Sequence, residues 1–109
     1  MKKLLIVLFM CIMPTMAAAR GNWCGSYART HLVANDPGTA YNLACNWLHY
    51  GQATTAHVGA MVVWCSRGHH HVGKITATDA SGNFVVTSGN DGGRVRSRVR
   101  SLAGAVFRS

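Results

Sequence analysis

The chain has 109 residues, 11 Lys/Arg against three Asp/Glu, four cysteines and a formal charge of +8. That length admits one small domain and excludes a second. A positive balance this strong favours anionic partners: cell-wall polymers, lipid headgroups or nucleic acid.

Met1 to Ala19 has the layout of a secretory signal, with Lys2 and Lys3 first, an apolar stretch from Leu4 to Met13, and small residues Ala17-Ala18-Ala19 at a cleavage site. The apolar stretch is shorter than the roughly 20 residues a membrane-spanning helix needs, and Pro14 interrupts it. No stable membrane anchor is expected. Bulky Phe9 and Met10 argue against lipid attachment at Cys11. Cleavage near Ala19 leaves about 90 residues as one secreted or periplasmic domain. Nine Lys/Arg then face three Asp/Glu. Export makes wall polymer a more natural partner than nucleic acid, for which no recognition motif is present.

Cleavage also leaves three cysteines, Cys24, Cys45 and Cys65. An odd count in an oxidising compartment suggests one disulfide and one free thiol. The favoured pair is Cys45–Cys65, closing a loop of about 20 residues worth roughly 3 kcal/mol by chain entropy. Cys24 then stays reduced. The sequence leaves the other two pairings open.

The apolar stripe of Tyr27, Ala28 and Leu32 predicts a short helix from Trp23 to Leu32, stopped by Asn35-Asp36-Pro37-Gly38. A second helix is expected from Thr39 to Tyr50, with Leu43, Trp47 and Leu48 inward and Gly51 at its end. Beyond Val58 the character changes. Ala60–Trp64 is a compact β-prone run and Val72–Thr78 a second. Asp79-Ala80-Ser81-Gly82-Asn83 reads as a hairpin turn into Phe84–Thr87. After a loop from Ser88 to Gly93, strands are expected at Arg94–Arg100 and Ala103–Arg108. The expectation is an α+β domain, two helices on one antiparallel sheet of four to five strands, with its only sizeable core between them.

Three stretches carry chemistry: Asn22-Trp23-Cys24-Gly25, then Val58 to Trp64 running on to His71-Val72-Gly73, then Ser88-Gly89-Asn90. With Asn46-Trp47-Leu48-His49-Tyr50-Gly51, they resemble the papain-like cell-wall hydrolases of the CHAP and NlpC-like superfamily. The resemblance implies a papain-like fold with Cys24 as nucleophile, His71 as base and Asn90 as the residue that orients the imidazole. Asp91 replaces Asn90 if the loop register differs by one. It also implies hydrolysis of peptidoglycan amide bonds, as peptidase or amidase, by a monomer without cofactor or metal. Trp23, His69, His70, Asp91, Arg94 and Arg96 are the expected substrate contacts.

Two other readings come from the residues. On a strand, Arg94, Arg96, Arg98 and Arg100 share one face. That stripe suits a non-catalytic module holding wall polymer or a partner protein. His69 and His71 also share a strand face, as a two-histidine metal pair would, with His57 or Cys65 as a third ligand.

Overall fold

A computed structural model describes residues 23–109. The expected signal segment, Met1 to Ala19 with Cys11, lies outside the described residues. Helix α1, Cys24–Tyr27, widens into a π turn over Ala28–Leu32. Ala28 and Leu32 are buried, and Lys74 Nζ donates to the Leu32 carbonyl at 2.9 Å, tying the helix end to the sheet. Gly25 permits a close crossing, because a Cβ there would collide with the Tyr41 and Asn42 carbonyls.

The second helix is not regular. It is two 3-10 turns, Thr39–Asn42 and Ala44–His49, separated by extended Leu43. The cause is local competition for backbone groups. Asn46 Nδ2 donates to the Ala40 carbonyl at 2.7 Å and Trp47 Nε1 to the Tyr41 carbonyl at 2.8 Å. Leu43, expected inward, is 64% exposed, whereas Trp47 is fully buried. Tyr41, Trp47 and Tyr50 pack ring to ring, with centroids 4.8 to 6.1 Å apart.

Six strands follow: β1 Ala53–Thr54, β2 Met61–Ser66, β3 His69–Thr78, β4 Phe84–Ser88, β5 Arg96–Val99 and β6 Val106–Arg108. They form one antiparallel sheet in the order β1-β6-β2-β3-β4-β5. The sheet therefore has one strand more than the largest number expected. The short addition is β1, which pairs with β6 through Ala53↔Arg108 and Thr54↔Phe107. The Asp79 carboxylate organises the β3–β4 turn, accepting from the Ser81 and Asn83 backbone N–H groups at 2.9 and 2.8 Å.

Both faces of β2 are buried, which accounts for its unbroken apolar run. Met61, Val63 and Val72 face the helical layer with Cys24, Ala28, Leu32 and Trp47. Ala60, Val62, Trp64, Ile75 and Val86 form a second core on the other face, beneath Leu102, Ala105 and Phe107. The expectation of a single core is thus corrected. The chain after β5 folds back and covers the far side of the sheet.

The disulfide joins Cys45 to Cys65, with Cα atoms 5.3 Å apart. It pins the Ala44–His49 turn to β2. Cys24 is the free cysteine among the described residues. No described helix is long and apolar enough to cross a membrane.

Candidate active site

Cys24 opens α1 at a place where the sheet is incomplete. Strand β4 pairs with β3 only from Lys74↔Thr87 onward, so Val72 has no β4 partner in the register. The Val72 backbone N–H instead hydrogen-bonds the Cys24 sulfur, as do the N–H groups of Cys24 and Gly25. Cys24 packs in the helical-side core with Ala28, Leu32 and Val72, at the end of β3 that β4 does not cover. Burial pushes the thiol pKa up, opposed by those N–H groups and by the charge of Arg100. Cys24 is 5% exposed.

His71 directly precedes Val72 and pairs with Trp64 of β2, whose ring lies 5.8 Å from the imidazole. The imidazole Nε2 and the Ser88 Oγ are 2.9 Å apart and buried. Burial and the Arg100 charge lower the His71 pKa to about 4, with Asp91 pulling the other way and His69 and Arg98 adding to the depression. Sulfur and imidazole thus meet β3 at adjacent positions, the sulfur at the Val72 N–H on the helical side and the imidazole at a hydroxyl from β4 on the face shared with Trp64 and Val86.

That hydroxyl is the residue the sequence reading missed. It belongs to Ser88, two positions before Asn90, on the strand and not in the following turn. Phe84, Val86 and Ser88 alternate onto one face, and both Val86 and Ser88 are fully buried. A serine ending an inward-facing register was the available signal. Asn90 has a φ of 54°, the left-handed conformation that ends the strand. Gly89 allows close packing there, since a Cβ would collide with Tyr27 and Trp23. Trp23 therefore supports the site from the helical side.

Asp91 is not on the rim. It is 5% exposed and accepts a bidentate pair from Arg98, Nε at 2.7 Å and Nη2 at 2.8 Å, with Arg100 Nη1 at 3.4 Å. Its role is to anchor arginines, and substrate contact is withdrawn. The expected four-arginine stripe is broken for the same reason. Regular strand covers only Arg96–Val99, Arg98 and Arg100 turn to Asp91, and Arg94 remains exposed before the strand.

On the helical side, a cleft of about 340 Å³ is lined by Cys24, the segment Asn42–Asn46 and His70. His70 is exposed and lines this cleft, while His69 stacks on Trp64 with centroids 5.6 Å apart. Asn42 Oδ1 is buried without a hydrogen-bond partner among the described residues. The metal reading is re-sited. Among the described residues, the one cluster with ligand geometry is Cys45, Cys65 and His70, and both of its sulfurs are in the disulfide. His69, His71 and His57 do not form such a group.

Set against family profiles, curated proteins and solved structures, the chain matches none.

Proposed function

We propose that this domain is an exported cysteine hydrolase of papain-like type, cleaving amide bonds of peptidoglycan as a peptidase or amidase. The observation that carries the reading is the junction on β3. A reduced cysteine sulfur is held at the Val72 N–H, and the preceding residue is a histidine whose Nε2 is engaged by Ser88. With Nε2 occupied, Nδ1 is the nitrogen left to take the thiol proton. The burial of both groups places that proton on sulfur at rest, so His71 acts as a general base and not as a standing imidazolium.

In the proposed course, the Cys24 sulfur attacks the carbonyl carbon as its proton passes to His71. The Cys24 and Gly25 N–H groups, beside the sulfur, are the donors proposed to stabilise the oxyanion. Collapse breaks the C–N bond, His71 protonates the leaving amine, and a thioester remains. Water, deprotonated by His71, then releases the acid and restores the thiol. The cleft beside His70 and Asn42 takes the substrate. Purified cell wall incubated with wild type should release muropeptides, and Cys24→Ala should lower that release at least a thousandfold. Equal release by the two proteins removes the proposal.

A second reading has its own observation. A thiol only 5% exposed and raised in pKa also suits a non-catalytic module. In that case iodoacetamide leaves Cys24 unmodified in the folded protein near neutral pH, and wall binding depends on the exposed arginines.

A further inference from the structure

Arg100 belongs, by sequence, to a solvated basic stripe; its side chain does something else. It lies beyond β5, folds inward, and is only 14% exposed. Its Cζ sits 4.6 Å over the Trp64 ring, a cation–π geometry. Trp64 is the cross-strand neighbour of His71 and touches its ring. Arg100 Nη1 lies 3.4 Å from Asp91 Oδ2, yet this nitrogen is buried and makes no hydrogen bond among the described residues. The distance makes an ion pair, and the alignment does not make a bond. Arg98, by contrast, spends two well-aligned donors on the same carboxylate.

This is an expensive way to fill space. A buried donor left unbonded costs about 1–3 kcal/mol, more when charged, and an apolar side chain would cover Trp64 without that cost. What the guanidinium adds is a fixed positive charge. Its field reaches both Cys24 and His71, favouring the ionised form of the one and opposing the protonated form of the other.

We propose that Arg100 is a positioning residue for the Cys24–His71 pair: clamped between Trp64 and Asp91, it holds a permanent positive charge against the ring that touches His71. The inference rests on the reading that Cys24 and His71 work together. It assigns the charge a role that neither the wall-binding stripe nor the residues touching substrate account for. The charged and titratable groups facing His71 are His69 of β3, Arg98 of β5, Asp91 and Arg100; the one acting on Cys24 is Arg100.

The test uses the whole mature chain and two titrations: the pH profile of Cys24 alkylation by iodoacetamide, read by intact mass, and the His71 imidazole followed by NMR. Arg100→Met should move both to higher pH together and slow alkylation at pH 7 roughly tenfold. Arg100→Lys should restore both toward wild type. A merely structural role would lower the melting temperature and leave the titrations in place. Should Arg100→Met fail to fold, Arg100→Gln serves. It keeps a polar side chain over Trp64 and removes the charge, and both titrations should again move to higher pH. Unmoved profiles in a folded variant, or profiles moving in opposite directions, overturn the proposal. Wall digestion separates it from the hydrolase reading. Shifts without digestion by wild type remove only the hydrolase reading, and digestion without shifts removes only the role of Arg100.

Discussion

His71 joins stability and the proposed chemistry in one side chain. Its pKa falls from 6.5 to about 4 in the folded protein. Between those values the unfolded chain binds a proton that the native state refuses, so stability declines as pH falls through that window. The drop amounts to about 3 kcal/mol at most, and it levels off once the native imidazole also protonates. Asp91, held below the ordinary carboxylate range by Arg98, contributes in a lower window and does not blur this one. Urea titrations of wild type at pH 7 and pH 4.5 should show the loss, and His71→Gln should flatten it. A wild-type stability constant across that interval would mean that the imidazole is not buried as described. The residue scale also shows what a sequence can and cannot reveal. Cys24 and His71 stand out because the resemblance to papain-like hydrolases rests on short local motifs, Trp23-Cys24-Gly25 and His71-Val72-Gly73. Ser88 does not, because its partner is 17 positions away and a lone serine carries no pattern until the strand register is known.

Among the elements, legibility followed the range of the forces. The Asp79–Asn83 turn was readable because one carboxylate and two neighbouring N–H groups determine it. The β2 run was readable because burial on both faces leaves no polar alternation. The segment from Thr39 to Tyr50 was misread as one helix, since Leu43, Trp47 and Leu48 match a helical spacing. The Asn46 and Trp47 side chains, bonded to the Ala40 and Tyr41 carbonyls, and a disulfide decide it otherwise. That disulfide holds the turn forming one wall of the cleft against β2. Reducing it, or the paired change Cys45→Ala with Cys65→Ala, should cost roughly 3 kcal/mol of unfolding free energy. The measurement is the denaturant midpoint with and without a reductant. A midpoint unchanged by reduction would show that the turn is held by the Tyr41–Trp47–Tyr50 packing alone.

At the scale of the whole molecule, an α+β domain with one antiparallel sheet was legible, but its strand order was not. No local signal shows that β6 inserts between β1 and β2, because that pairing joins residues more than forty positions apart. Side chains lock it. Arg108 Nε donates to the Tyr50 carbonyl at 2.7 Å and Nη2 to the Gly51 carbonyl at 3.0 Å. The backbone of Ser109 exchanges hydrogen bonds with Gln52 at 2.7 and 3.0 Å. Removing residues 106–109 should therefore abolish cooperative thermal unfolding, and not merely trim an edge, as followed by circular dichroism. A truncated chain that still melts in one sharp transition would show that the remaining strands suffice.

The late arrival of β6 has a consequence for how the protein is made. A chain emerging from the ribosome has its inner sheet position vacant until residues 106–108 have been polymerised. Contacts so distant along the chain form slowly, since loop closure precedes any reward. Until β6 is made, the edges of β1 and β2 have no strand between them, and the sheet has a gap that only residues distant along the chain can fill.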